Sequence, residues 1–241
     1  MKMTVQYRDL RQVPIPFVVF FIIFFTGQLI YHHSVSEAAE ASYQKLKAPL
    51  EPGFYRSISF GSDKLLSYLL LLGVQMHDNQ KGLHVSYSHL DYDLLSDWLL
   101  TINEINPQSD YPVFLASRVY SQVEDEAKIR LMIDVIQKLF TENPQQHWRR
   151  MTEACLLLKH KLNDLPAALK VAGQISSLPK TIKLPFWARD MKLVLLDELN
   201  QYESAQILIS SMLQSGEITD KDELRFLRFR LLKIQQMLLK N

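Results

Sequence analysis

Between Val13 and Ile30 the chain carries eighteen residues without a single charge, and Phe17–Phe25 is an unbroken apolar run. A helix through residues 13–31, rising 1.5 Å per residue, comes close to the ~30 Å hydrocarbon thickness of a bilayer. Pro14 and Pro16 fall in the first turn, where an N–H has no partner in any case. Tyr31 sits where interfacial aromatics collect. A buried core helix is rarely apolar all round for this length, so the segment predicts a transmembrane anchor over residues 13–31. A cleaved signal peptide is the alternative, because Ala39-Glu40-Ala41 has the A-x-A form. That site, however, follows the run by about ten residues, and the run exceeds the roughly 7–15 residues of a signal's apolar core. Lys2, Arg8 and Arg11 precede the span against Asp9 alone, while His32, His33, Glu37 and Glu40 follow it. This bias predicts a single-pass protein with residues 1–12 in the cytoplasm and the rest exported. No N-x-S/T sequon occurs and there is one cysteine, which leans towards the periplasmic face of a bacterial inner membrane.

Composition narrows the remainder. Of 241 residues 47% are hydrophobic and 22% charged, which excludes wholesale disorder, and 7 Gly with 10 Pro exclude a low-complexity chain. A net charge of +1 offers no basic excess for nucleic acid. Cys155 alone can form neither an internal disulfide nor a cysteine-based zinc site, and its setting in Ala154–Leu158 predicts a buried, inert thiol.

Beyond the anchor every segment favours helix. Ser34–Ala48 reads as a polar helix ended by Pro49 and Pro52-Gly53, giving a linker and loop over residues 32–61. From residue 62 to 241 the pattern is helical throughout: Ser62 as N-cap of an apolar helix Leu65–Met76, a second helix about Asp91–Asn106, then more of similar length. The turns recur, with Pro107, Pro144, Pro179 and Gly216 spaced 37, 35 and 37 residues apart. Aromatics follow the prolines (Tyr111, Trp148, Phe186-Trp187), with the tryptophans expected in the core, and the small residues Ala168 and Ala205 open second helices 37 apart. A period near 34–37 with two helices per unit is that of tetratricopeptide-type repeats, where stacking buries a face each hairpin exposes alone.

On these residues, with Leu72-Gly73 where that family has Leu-Gly and prolines after the helices, the stretch Ser62–Asn241 resembles the tetratricopeptide-like family. The resemblance implies an α-solenoid of antiparallel helix pairs that binds a protein partner. The chain is also similar to membrane-tethered helical proteins of proteobacteria, through Gly61–Leu66, Asp78-Asn79-Gln80, Leu90-Asp91-Tyr92 and Trp187–Asp190; that likeness implies no activity.

Chemistry is hard to find. There is no phosphate loop, dinucleotide fingerprint, H-E-x-x-H or nucleophile elbow. His77, His84 and His89, with Asp78 and Asp91, share one loop but match no metal spacing and are expected to be solvated, as are His32 and His33 at the membrane exit. The expectation is therefore no enzyme, no cofactor and no metal. Candidate partner-binding residues lie on the first helices of the repeats, which line the concave face in such folds: Arg118, Tyr120, Arg149, Lys159, His160, Arg189 and Lys192, whose cations suit an acidic segment. Leu224, Leu227, Leu231 and Ile234 form a 3-4-3 seam on the last helix, open to three readings: a cap packed on the preceding pair, a site for a partner helix, or a membrane-surface contact. The expectation overall is an all-α, membrane-anchored scaffold or assembly subunit, touching lipid through residues 13–31 and binding a protein partner, foremost a membrane complex. A periplasmic peptide receptor acting alone is the alternative, and an enzyme the remote one. Neither nucleic acid nor a small-molecule substrate is expected.

Overall fold

In a computed structural model of the chain, residues 14–38, 45–77, 79–80, 83–84, 86–179, 181–216 and 218–239 are described. They divide into two units, one formed by residues 1–44 with 80–83 and the other by residues 45–79 with 84–241.

The first unit is built on helix α1, Ile15–Ala38. Its stretch Ile15–His33 holds no charged side chain, is wholly exposed, and is long and apolar enough to cross a membrane, a test that a signal sequence also passes. Phe20 stacks on Phe24 and Phe21 on Phe25, the i,i+4 neighbours a helix surface brings together. Pro14 precedes the helix, its carbonyl accepting from Phe17 N–H at 3.0 Å.

The second unit is almost wholly helical: α2 (Pro52–Ile58), α3 (Asp63–Gln75), α4 (Tyr92–Ile105), α5 (Tyr111–Leu115), α6 (Glu126–Glu142), α7 (Pro144–Leu156), α8 (Leu165–Ser176), α9 (Phe186–Glu198), α10 (Tyr202–Gln214) and α11 (Lys221–Leu238). Two-residue strands, Asn79–Gln80 and Leu83–His84, pair with each other across the loop after α3. The helix starts follow a recurrent chemistry. Asp91, Asp125, Asn143, Asp164 and Asp220 each accept backbone N–H groups in the following first turn at 2.8–3.3 Å. Asn163 and Asn200 take the left-handed conformation (φ 52° and 56°) that closes the turns before α8 and α10. Helices adjacent in sequence pack on each other from α6 to α11, and α4 packs on α2, α3 and α6.

Two apolar cores result. The larger joins Leu71 and Val74 of α3, Leu95, Leu99 and Ile102 of α4, Ile129, Met132 and Ile136 of α6, Met151 of α7 and Val171 and Ile175 of α8. The smaller joins Leu193 and Leu196 of α9 to Ala205 and Ile209 of α10 and Leu227 and Ile234 of α11. Ala168 and Ala205 are fully buried, as expected of small residues at a helix crossing.

Four local expectations need correction. The polar helix over Ser34–Ala48 is not formed as one piece: α1 extends to Ala38, residues 39–44 lie outside the described residues, and residues 45–51 are not helical. They lie along α4 instead, with Leu46 buried in the larger core and the Lys47 carbonyl taking the Trp98 indole N–H at 2.7 Å. Residues 45–61 thus belong to the helical unit. Pro52-Gly53 opens α2 rather than a loop, because proline fits the first helical position. Ser62 stands at the N-cap of α3 but its hydroxyl makes no capping bond.

Candidate functional site

Helices α5, α7, α9 and α11 are tied to one another by side chains reaching about one sequence period along the chain. Arg118 donates to Glu153 at 2.6 and 2.9 Å, Arg150 to Asp110 at 3.0 Å, Lys159 to Glu198 at 2.6 Å, Arg189 to Glu223 at 3.2 Å, and Arg230 to Asp197 at 2.7 Å. These partners are separated by 35, 40, 39, 34 and 33 residues respectively. Glu153 is the hub of the first rung, since Arg150 donates to both its oxygens at 3.0 and 3.1 Å. Burial raises the Glu153 carboxyl, but hydrogen bonds from Arg118, Ser117 and Arg150 outweigh this and hold it below its ordinary value. Asp110 behaves alike: burial raises it, and His147 and Arg150 together pull it below the usual range. The Arg150 guanidinium also lies over the Phe114 ring, 5.1 Å from its centre.

Between the C-terminal ends of the first two of these helices runs a cleft of about 290 Å³, lined by Ser117, Arg118, Gln122, Glu153, Leu156, Leu157, His160 and Lys161. Both of its walls are π-helical turns, Ala116–Tyr120 continuing α5 and Leu157–Lys161 continuing α7. A π-turn holds an extra residue per turn and concentrates at functional sites. Lys161 bridges the walls by donating to the Ser121 carbonyl at 2.8 Å. Arg118 and Lys161 against the single carboxylate of Glu153 leave the cleft cationic, and exposed Leu156 gives it an apolar wall. Such a lining suits a carboxylate next to an apolar side chain.

Of the sequence candidates, Arg118 and His160 line this cleft. Tyr120 does not: its ring is buried, edge-on to Tyr87, and its carbonyl accepts the Tyr92 hydroxyl at 2.7 Å, so it is removed from the contact set. Lys159 and Arg189 are committed to the ion pairs above, Arg149 lies over the Trp148 ring at 5.2 Å, and Lys192 is half-buried. Trp148 meets the core expectation in part, packing against the larger core, whereas Trp187 departs from it. They pack on each other at 6.0 Å, Trp148 half-buried and Trp187 50% exposed, beside the exposed Phe186.

The seam of α11 faces inward. Leu227 and Ile234 are buried against α9 and α10, and Leu224 and Leu231 are half-buried, so the cap reading describes this face and the partner-helix reading loses its surface. At the head of α11, Glu223 lies buried with Asp190 of α9, whose two carboxylate oxygens have no hydrogen-bond partner among the described residues. Burial, with the Glu223 charge added and Arg189 opposing, pushes Asp190 up to about 6.

Among the described residues no group of three or more His, Cys, Asp or Glu is placed to hold a metal ion. His77 shares its Nδ1 with the Gly73 carbonyl at 2.9 Å, whereas Asp78 and the side chain of His84 lie outside the described residues. Cys155 is buried and its thiol is pushed up to about 11 by that burial.

Sequence reasoning missed Glu153, Lys161 and Leu156, since nothing in a helical pattern marks a π-turn or says which carboxylate two arginines will share. It also missed Asp190, whose burial depends on where α11 lands. Fold and site together define the class: an all-helical protein with one apolar N-terminal helix long enough to span a membrane. No family model, curated protein or solved structure matches the chain.

Proposed function

We propose that this chain is a membrane-anchored helical-repeat scaffold, held by residues 13–31 with its N-terminus cytoplasmic and its tetratricopeptide-like domain on the periplasmic side of a bacterial inner membrane, where it binds a protein partner within a membrane complex. The observation that carries this reading is the ladder of ion pairs at separations of 33–40 residues, which matches the spacing of the turns and supports a regular stack of helix pairs. The exposed, uncharged Ile15–His33 supports the anchor. Anchoring confines encounters to two dimensions and raises effective concentration without adding a contact. The cationic cleft at the π-turns serves as the docking point for an acidic or C-terminal segment of the partner.

The test is copurification from native membranes in mild detergent, comparing the full chain, a form lacking residues 1–31, and the full chain with His160→Glu and Leu156→Asp. The expected result is a stoichiometric membrane partner held by the full chain and released by the cleft variant. A partner that persists in the cleft variant would remove the cleft from the reading. Recovery of the protein alone in every form would replace the scaffold with a peptide receptor acting by itself.

A further inference from the structure

Helix α3 turns its buried residues Ser67, Leu71 and Val74 towards α4. At 3.6 residues per turn, Leu65, Leu69, Leu72 and Met76 fall on the opposite side, and all four are exposed. A helix apolar on both faces belongs between two apolar environments, and the protein supplies only one. The neighbouring surface has the same character: Phe54 and Ile58 of α2 are exposed, and α2 and α3 meet at a bend of 117°. At that bend stands Phe60, 99% exposed and left-handed with φ 50°, followed by Gly61 at φ 80°. A bulky residue in that region is strained, where asparagine or glycine would be at ease. Strain and full solvent exposure of an aromatic ring therefore coincide at one protruding tip.

We propose that the α2–α3 corner is a second membrane-contact site, in which Phe60 and the outer face of α3 dip into the headgroup–acyl boundary of an anionic bilayer. This rests on the anchor reading of α1. Three observations favour lipid over a second copy or another protein. Phe60 and the outer leucines of α3 are the residue types that interfacial segments bury in the headgroup–acyl boundary. Lys64, exposed, borders the apolar surface as cations do beside anionic headgroups, while Arg56 next to it is engaged by Glu104. Finally, α2 and α3 taken together are apolar enough to pass the same length and hydropathy test as α1, as a pair bent at 117° in the manner of a broken or re-entrant span.

The experiment places a thiol-linked fluorophore at Phe60→Cys, Leu69→Cys, Phe24→Cys or Glu203→Cys in the full chain. The chain is reconstituted into phosphatidylethanolamine–phosphatidylglycerol bilayers containing lipids with nitroxides at graded acyl depths. Cys155 is buried, so labelling stays at the introduced site. Phe24 reports the anchor and Glu203, exposed on α10, is the aqueous control. The expected result is lipid quenching at Phe60 and Leu69 centred about 5–10 Å below the headgroup boundary, deeper quenching at Phe24, and none at Glu203. Quenching at Phe24 without quenching at Phe60 and Leu69 would overturn the corner while leaving the anchor standing. Leu69 shielded from an aqueous quencher yet untouched by the lipid nitroxides would overturn it in favour of a protein cover. Absence of lipid quenching at all three sites would overturn the anchor reading together with the corner.

Discussion

Replacing Asp190 with asparagine should stabilise the folded protein at neutral pH and do nothing of the kind in acid. Asp190 is 4% exposed, neither of its oxygens has a partner among the described residues, and the buried Glu223 carboxylate lies close by. Folding therefore lifts its carboxyl from an ordinary value of 3.8 to about 6. A raised carboxyl binds its proton more tightly when folded, so the penalty is absent below about pH 4, grows as the pH rises to about 6, and is constant above that. At 1.36 kcal/mol per pH unit, the ionised group costs at most about 3 kcal/mol at pH 7.5, and relaxation around the site brings the expected gain to about 1–3 kcal/mol. For a domain of this size that is a rise of roughly 2–10 °C in Tm, most of it absent at pH 4. Thermal unfolding of the full chain in detergent, followed by circular dichroism at the two pH values, measures it. An Asp190→Asn protein no more stable than the parent at pH 7.5, or one whose gain is equal at both pH values, would refute the buried-charge account.

Three other outcomes follow from the same packing. Glu153→Gln should cost about 1–3 kcal/mol at neutral pH by denaturant unfolding, because two arginines lose a charged acceptor. Since the Glu153 carboxyl is held low in the fold, its contribution is present above about pH 4 and lost on acidification, so the gap to the parent should close there. Leu227→Ala should destabilise by about 2–5 kcal/mol in calorimetry, as for any fully buried leucine; a negligible change would place the α11 seam outside the core. Cys155 should resist maleimide at pH 8 in the native protein and react once the chain is unfolded, whereas native labelling would contradict its burial.

What the sequence disclosed is what repeats or accumulates. The apolar run before Tyr31, the spacing of Pro107, Pro144 and Pro179, and the 3-4-3 seam of α11 each spread their signal over many positions, so α1, the helical class and the apolar stripe of α11 could be read from them, though not which way that stripe faces. Single positions were less legible. Pro52 could end one helix or begin the next, and only the packing of Tyr55 and Leu46 near Trp98 decides. Tyr120 shares the helix of Arg118, yet the π-turn at Ala116–Tyr120 turns one inward and the other out. The outer face of α3 lay in plain view at Leu65, Leu69, Leu72 and Met76, but its exposure becomes an observation only once α4 is seen to occupy the opposite side.

The two cores give the domain an internal seam of weakness. Helix α9 contributes Leu195 to the larger core and Leu193 and Leu196 to the smaller one, and α10 and α11 depend on the smaller alone. Since Arg189–Glu223 and Arg230–Asp197 clamp α11 back onto α9, the last helix does not fray by itself. It leaves with α10, as one cooperative piece, while the stack up to α8 keeps its own core. Amide exchange should accordingly divide the domain at α9, with α10 and α11 sharing one opening free energy lower than that of α4, α6 and α7. The pair α10 and α11 is then the part free to rearrange.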